Sequence, residues 1–124
     1  IVVEDNPDMS VIGDRAQLVS AVGNLIDNAV KYSEQGSIVK IEVTREDGRM
    51  LISVADNGPG IAPEHLGRVF ERFYRVDDAR SRGTGGTGLG LAIVRHIALL
   101  HGGDVSVTSE IGVGSTFTLS IPAV

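Results

Sequence analysis

A glycine-rich stretch, Gly83-Thr84-Gly85-Gly86-Thr87-Gly88-Leu89-Gly90-Leu91, runs directly into an apolar segment that ends at Leu100. Glycine lets the backbone approach a ligand closely, and the first turn of a helix offers unpaired N–H groups and the positive end of the helix dipole. These properties suit a phosphate. The stretch is neither a Rossmann fingerprint, because no apolar strand precedes it, nor a Walker loop, because no Gly-Lys-Ser/Thr follows. A flexible connection ahead of a buried helix is the alternative interpretation.

The segment before the glycines, residues 77–82, is polar and predicts a mobile flap that closes over a triphosphate. Arginines are spread through this part of the chain: Arg72, Arg75, Arg80 and Arg82. Most of a charge run is ordinary solvated surface. One or two of these guanidinium groups could instead clamp a γ-phosphate through paired hydrogen bonds. The neighbouring aromatic side chains are expected to pack beneath the flap: Phe70, Phe73 and Tyr74.

Residues 14–32 predict a core helix capped by Asp14, with Gln17 as a capping-box partner. Its apolar residues recur at helical spacing: Leu18, Val19, Val22, Leu25, Ile26, Ala29 and Val30. The opposite face is polar: Gln17, Ser20, Asn24, Asp27, Asn28 and Lys31. A solvated helix face would explain it, but Glu, Lys or Arg would form such a helix better than asparagine. Side-chain amides followed by a lysine instead suit oxygen ligands for Mg²⁺ and an ammonium for phosphate.

Asp56 lies at the end of a predicted strand in which Met50, Ile52 and Val54 share its face. A buried carboxylate needs hydrogen-bond donors. The exocyclic amine of a purine would satisfy it, and Gly58 and Gly60 would allow a flat ring to lie against the backbone. A tight Asp-Asn-Gly-Pro-Gly turn without a ligand is the other interpretation.

The elements around these residues predict an α+β fold, a two-layer sandwich of a mixed, mostly antiparallel five-stranded sheet and three helices. Predicted strands cover residues 1–3, 10–12, 38–44, 50–55, 105–109 and 116–121, and predicted helices cover 14–32, 63–73 and 89–101.

Composition narrows the possible partners. The 124 residues, 42% of them apolar, predict one domain spanning 1–124. The net charge of −5 argues against nucleic acid or an acidic membrane as a partner. The absence of cysteine excludes disulfides and thiolate metal sites. Because the chain begins on an extended-looking Ile1 and carries no leader-like or membrane-length segment, we expect a fragment of a longer protein.

Together the motifs resemble, in order and spacing, the N, G1, F and G2 boxes of the catalytic and ATP-binding domain of bacterial sensor histidine kinases. The matching stretches are Asn24-Leu25-Ile26-Asp27-Asn28-Ala29-Val30-Lys31-Tyr32, Asp56-Asn57-Gly58-Pro59-Gly60, Phe70-Glu71-Arg72-Phe73-Tyr74-Arg75 and Gly86-Thr87-Gly88-Leu89-Gly90-Leu91. The closing Gly114-Ser115-Thr116-Phe117 resembles the last motif of the same family.

The resemblance implies a Bergerat-type fold that binds ATP and Mg²⁺. It implies that Asn24 and Asn28 coordinate Mg²⁺ and the phosphates, with Lys31 also on phosphate and Tyr32 in the pocket. It implies that Asp56 binds the adenine amine and Thr116 is a possible second adenine contact. The pocket wall and phosphate cradle would come from Gly58, Gly60, Gly86, Thr87, Gly88, Leu89 and Gly90, and Arg75 is the best candidate among the flap arginines.

One feature departs from the family: no histidine here lies in a His-Glu/Asp phosphoacceptor box. His65 precedes Leu66, His96 precedes Ile97 and His101 precedes Gly102. These histidines suit helix-surface or helix-end positions, and their spacing fits no metal site. The domain is therefore expected to bind ATP without phosphorylating itself.

Related ATPases and serine kinases of the same fold place a glutamate base where Asn24 stands. An amide cannot accept that proton, so hydrolysis of ATP or serine phosphorylation is disfavoured. A nucleotide-sensing module that transfers no phosphate is the remaining alternative.

The resemblance also implies partners outside this chain. They are a histidine-bearing dimerisation domain of the same kinase, within a homodimeric parent, and a response regulator downstream in the phosphorelay. It implies a cytoplasmic, monomeric domain without direct membrane contact, in a bacterial sensor of the inner or plasma membrane.

Overall fold

The structure, a computed structural model, describes residues 2–4, 11–32, 38–72 and 90–123, with the backbone alone for residues 2–4 and Tyr32. The strands are β1 (Val2–Glu4), β2 (Lys40–Glu46), β3 (Arg49–Asp56), β4 (Asp104–Glu110) and β5 (Gly114–Pro122). The helices within these residues are α1 (Arg15–Tyr32), α2 (Pro63–Leu66) and α3 (Gly90–Leu100).

The strands form one sheet in the order β1-β2-β3-β5-β4. β1 pairs with β2 in parallel, and all other neighbours are antiparallel. β2 and β3 are joined by an Asp47-Gly48 turn in which both residues have positive φ, which is the conformation that a tight hairpin requires. This arrangement confirms the predicted α+β fold with a mostly antiparallel sheet.

The hydrophobic core lies between one face of the sheet and the helices. Alternate residues of β5 point into it, so that Phe117, Leu119 and Ile121 are at most 1% exposed. On α3 the buried residues are Val94, Ile97 and Ala98. The opposite face of the same strands is partly exposed and hydroxyl-rich, with Ser53 and Thr118 hydrogen-bonded across β3 and β5 at 3.3 Å. The periodicity of two along β5 therefore separates core from solvent.

The structure differs from two predicted elements. Of the helix predicted over residues 63–73, the described part, residues 63–72, is α-helical only from Pro63 to Leu66, and Phe73 is outside the described residues. Gly67 follows it, and the chain continues in turns in which Arg68 N–H donates to His65 and Glu71 N–H donates to Arg68. Glycine is a weak helix former, which explains the early end. The strand predicted over 10–12 is wrong for Val11 and Ile12, which lie in no strand, whereas Ser10 is outside the described residues.

Candidate functional site

The polar face of α1 follows from how the helix packs. Ala21, Leu25 and Ala29 are fully buried at four-residue spacing, and Leu18, Val22 and Ile26 pack against the core beside them. Val19 and Val30, predicted as core, are 64% and 50% exposed. At about 100° per residue they fall just outside the buried arc.

Asn24 and Asn28 border that arc and are half-buried, whereas Asp27 and Lys31 are exposed. The Asn24 Nδ2 donates to the Ser20 carbonyl at 2.9 Å, so the helix backbone occupies the donor side of the amide. Its oxygen lies close to Gly90, where an added Cβ would be 3.3 Å from Oδ1. The amide is thus oriented with its oxygen at the first residue of α3. This orientation suits a hard cation, which prefers oxygen ligands.

Asp56 is the buried carboxylate of the site. It is 7% exposed, and its Oδ1 accepts the Gly58 N–H at 2.8 Å. Burial raises the pKa of Asp56 above its ordinary value, although backbone hydrogen bonds from Gly58 and Ser115 lower it in part. The predicted position, at the buried end of an apolar strand face, is confirmed, because Val54 and Asp56 are both buried.

The loop after Asp56, residues 57–60, packs against the turn between β4 and β5. Gly60 has φ +81°, and a Cβ there would press against the backbone carbonyl of Glu110. The Gly112 N–H donates to the Pro59 carbonyl at 2.9 Å. Gly58 is buried as well. Gly60 therefore lies where the backbone passes close to its neighbour, which a larger residue would prevent.

A hydroxyl cluster fixes the same loop from the other side. The Ser109 Oγ accepts the Ile61 N–H at 2.7 Å and lies 2.9 Å from the Gly114 carbonyl, to which it donates. The Ser109 Oγ is also 2.8 Å from the Ser115 Oγ. Because the Ser109 hydrogen is already donated to the Gly114 carbonyl, the Ser115 hydroxyl is the donor in this pair. Ser109 thus ties the segment after the loop to both strands of the hairpin.

The strand register distinguishes two hydroxyl residues near the carboxylate. Ser115 is directly opposite Asp56 and is 7% exposed, whereas Thr116 is opposite Ala55. Opposite residues share a face of the sheet, so Thr116 lies on the other face from Asp56. The structure does not bring Thr116 to the carboxylate. Ser115 was missed, although a period of two counted back from the apolar Phe117 would have identified it.

Phe70 packs beneath the site. Its ring meets the buried ring of Phe117 edge-on, with centroids 6.0 Å apart and planes at 89°. This geometry is favourable for aromatic pairs, and it confirms that Phe70 has a packing role. Arg72, two residues after Phe70, is exposed.

Several predicted site residues lie outside the described residues: Arg75, Gly86, Thr87, Gly88 and Leu89, together with the flap over 77–82 and the side chain of Tyr32. Among the residues that the structure covers, no group of three or more His, Cys, Asp or Glu side chains could hold a metal ion. None of the described helices is both long and apolar enough to cross a membrane.

The comparisons with known proteins agree with this geometry. The model of the family described as histidine kinase-, DNA gyrase B- and HSP90-like ATPases, HATPase_c, matches residues 13–124. The chain belongs to the HATPase_c family. Its relatives include the sensor-like histidine kinase SenX3 of Mycobacterium bovis, 55% identical over 115 residues, which are 93% of this chain and 28% of that protein.

Two solved structures resemble this HATPase_c chain over nearly its whole length. The mycobacterial sensor histidine kinase MprB has a TM-score of 0.82 and 35% identity, over 98% of this chain and 78% of that one. Full-length ShkA, solved in complex with AMPPNP, has a TM-score of 0.80 and 35% identity, over 98% of this chain and 25% of that one. The resemblance to the catalytic domain of sensor histidine kinases is therefore confirmed, and the chain spans about a quarter of SenX3 and ShkA.

The raised pKa of Asp56 predicts opposite pH dependences for folding and for ATP binding. The folded state holds this proton more tightly than the unfolded state, so Asp56 contributes stability at low pH that is lost as pH rises through its raised pKa. If Asp56 accepts the adenine amine, as the resemblance implies, binding needs the carboxylate, and the affinity for ATP should fall as pH drops through the same range. Unfolding and ATP titrations from about pH 4 to about pH 7 check both slopes. Asp56→Asn should flatten them, and an unchanged slope in that variant would contradict the assignment.

Proposed function

We propose that this domain binds ATP with Mg²⁺ and donates the γ-phosphate to a histidine on a separate dimerisation domain, in two-component signal transduction. The buried Asp56 carboxylate, held by backbone donors at the edge of a glycine-walled loop in a HATPase_c member, is the observation that carries the proposal. Burying a carboxylate costs free energy unless hydrogen-bond donors satisfy it, and a buried carboxylate with a raised pKa is a candidate for ligand recognition.

The base end of the nucleotide would lie at Asp56. Its Oδ1 is held by Gly58, so the carboxylate has acceptor capacity left for the adenine amine. Guanine presents a carbonyl oxygen at the same position, which a carboxylate repels. Gly60 has no side chain that would project from the loop after Asp56. Ser115, and not Thr116, is the hydroxyl residue opposite Asp56 in the sheet. These contacts support selection of adenine over guanine.

The phosphate end would lie along the polar face of α1 and the start of α3. The Asn24 oxygen faces Gly90, Asn28 is half-buried one turn further, and Lys31 is exposed in the last turn. We propose Asn24 and Asn28 as Mg²⁺ ligands and Lys31 as a phosphate contact. The remaining phosphate contacts would come from Arg75, Gly86, Thr87, Gly88, Leu89 and Gly90, with Tyr32 beside them. Mg²⁺, when bound, neutralises charge on the triphosphate.

Transfer to histidine suits this set of residues. Phosphoryl transfer depends mainly on positioning and on charge neutralisation. A neutral imidazole is already nucleophilic, so it needs no base from this domain. Asn24 supplies none, because a side-chain amide cannot accept a proton at neutral pH. Rapid hydrolysis of ATP and serine phosphorylation are therefore disfavoured, as is self-phosphorylation by a chain without a His-Glu/Asp box.

The proposed partners lie outside this domain. They are the histidine-bearing helical domain of the same kinase, in a homodimeric parent, and a response regulator that receives the phosphate. We propose that the domain is cytoplasmic and monomeric and belongs to a membrane-anchored sensor. SenX3, of which this chain spans 28%, is a sensor-like histidine kinase, which supports this placement.

Asn28→Ala should weaken binding of ATP with Mg²⁺ by roughly tenfold, the effect of one lost ligand or hydrogen bond to a charged group. Adenosine, which lacks phosphates, should bind as it does to the wild type. Calorimetric titration with both ligands measures the difference. Asp27→Ala is the matched control, because Asp27 is the exposed neighbour on the same helix.

Transfer itself is tested by adding a histidine-bearing helical domain of a related kinase and labelled ATP. Acid-labile phosphate on that domain is expected with the wild type and is expected to be at least tenfold slower with Asn28→Ala. ATP binding without any transfer would favour the nucleotide-sensing module instead. Equal loss of adenosine and ATP binding in Asn28→Ala would exclude Asn28 as a phosphate-end residue.

A further inference from the structure

His101 joins the end of one helix to the beginning of another. It directly follows α3, and its Nε2 accepts the backbone N–H of Asp14 at 2.9 Å. Asp14 is the residue before α1, and its carboxylate accepts the Gln17 N–H at 3.0 Å. The predicted cap is thus confirmed, but the Asp14 N–H is used by His101 and not by the Gln17 side chain. One imidazole therefore takes part in the N-terminal cap of α1.

The two contacts of the imidazole determine where its proton lies. Nε2 receives an N–H, so it must carry a lone pair. Nδ1 is 2.8 Å from the Ile97 carbonyl, which can only accept, so Nδ1 must carry the hydrogen. His101 is consequently the neutral Nδ1–H tautomer. Neither the other tautomer nor the imidazolium can make both hydrogen bonds.

The bridge lies at one end of the contact between α1 and α3. These helices pack against each other, and they run in opposite directions, because Asp14 meets His101 whereas Asn24 meets Gly90. From Asp14 to Asn24 is about 15 Å along a helix, and from His101 back to Gly90 is about 16 Å. The two contacts therefore fix the register of the helix pair at both ends. A shift at His101 would therefore move α1 relative to α3 and displace the Asn24 oxygen from Gly90.

Gly13 shows how little room the imidazole has. A Cβ at Gly13 would overlap Cδ2 of the His101 ring and would approach the Leu18 side chain to 3.1 Å. Its backbone φ lies outside the left-handed region, so the requirement for glycine here comes from the ring and not from backbone strain. The sequence thus provides a glycine that leaves space for the imidazole.

We propose that His101 is a positioning residue for the phosphate end of the site: its Nδ1–H tautomer sets the register of α1 against α3 and so holds Asn24 against Gly90. The inference rests on the proposed function, because Asn24 matters only where phosphate and Mg²⁺ bind. The base end is independent of it, since Asp56 and Ser115 belong to β3 and β5. His101 therefore affects one half of the nucleotide site and not the other.

His101→Phe keeps a ring and removes both hydrogen bonds. Calorimetric titration should show about a tenfold loss of affinity for ATP with Mg²⁺, the effect of displacing one ligand. The affinity for adenosine, followed by chemical-shift titration, should stay within about twofold. His96→Phe is the matched control, because His96 is exposed on the same helix and should change neither affinity. A wild type that binds no ATP would defeat the proposed function, whereas a normal wild type with an unaffected variant defeats only this inference.

Gly13→Ala provides a second test in which the imidazole is retained but displaced. It should reproduce the selective loss of ATP affinity. In a His101→Ala background the added methyl meets only the flexible end of the Leu18 side chain, so Gly13→Ala should then have a much smaller effect on ATP affinity, which a double-mutant cycle measures. Long-range ¹H–¹⁵N correlation spectra of the wild type at neutral pH should show a hydrogen on Nδ1 and none on Nε2. An Nε2–H signal, additive effects in the cycle, or equal losses of adenosine and ATP affinity would each overturn the proposal.

Discussion

Asp56→Asn should lower the affinity for ATP on the order of a hundredfold while leaving the free energy of unfolding unchanged or higher. The loss corresponds to one charge-assisted hydrogen bond at a buried site, at the upper end of the usual range. The protein loses no packing, because asparagine has nearly the same shape. Its single oxygen can still accept the Gly58 N–H, which is one of the two backbone donors, Gly58 and Ser115, that bond the carboxylate. It also no longer buries a charge, the cause of the raised pKa of Asp56. Calorimetric titration and urea unfolding measure the two quantities.

The same substitution should reduce the preference of the site for adenine over guanine. The asparagine amide can donate to the guanine carbonyl oxygen that a carboxylate repels, so the ratio of ATP to GTP affinity should fall. Asp47→Asn is the matched control, because it removes the same charge from the turn at the opposite end of β3, where an Asn-Gly pair is well tolerated. A large loss of stability in Asp56→Asn with unchanged ATP affinity would assign Asp56 to the fold and not to the ligand.

Gly114→Ala should destabilise the domain by about 3 kcal/mol or more and abolish ATP binding at ambient temperature. Gly114 has φ +143°, which an L-residue rarely adopts, and a Cβ there would overlap the carbonyl oxygen of Asp56. The backbone would have to move at the residue that carries the carboxylate. Because domains of this size are stable by only about 5–15 kcal/mol, the loss is a large share of the total. Urea unfolding followed by circular dichroism measures it.

Gly112→Ala measures the cost of an unfavourable backbone conformation without the steric overlap that an alanine at Gly114 would also cause. Gly112 also has positive φ, +82°, but an added Cβ would meet nothing within 4 Å. Its substitution should cost about 1–2 kcal/mol from the backbone conformation alone. The difference between the two variants is the contribution of the contact with Asp56. Equal losses would show that the approach of Gly114 to Asp56 has no energetic importance.

Much of the fold follows from local patterns in the sequence. The alternation along residues 49–56 and 114–122 identifies the buried strand faces, and the helical spacing from Leu18 to Ala29 identifies the core face of α1. Asp56 was found for the same reason, since a carboxylate on an apolar face is conspicuous. These features depend on residues close together in the chain, and so a single sequence reveals them.

The features that the sequence did not reveal depend on long-range pairing. Ser115 faces Asp56 only through the register of β3 and β5, and the same register turns Thr116 away. The bridge from His101 to Asp14 spans 87 positions of the chain. Gly60 needs its freedom because of Glu110, which is distant in sequence. Local propensity carries no information about such contacts, whereas the short α2 shows a single glycine outweighing an otherwise helical pattern.

The strand order has a consequence for partly unfolded states of the domain. Asp56 is the last residue of the central strand β3, and Ser115 is the second residue of the neighbouring strand β5. Each of these strands is hydrogen-bonded on both sides. Amide hydrogens in such strands exchange with solvent only in nearly global openings, whereas helix ends fray at little cost in free energy. Asn24 faces the first residue of α3, so in the proposed site the triphosphate would depend on a helix end, which opens before the central strands. A molecule in which the start of α3 has frayed would therefore bind phosphate poorly, while Asp56 and the strands around it would still be folded and able to bind the base.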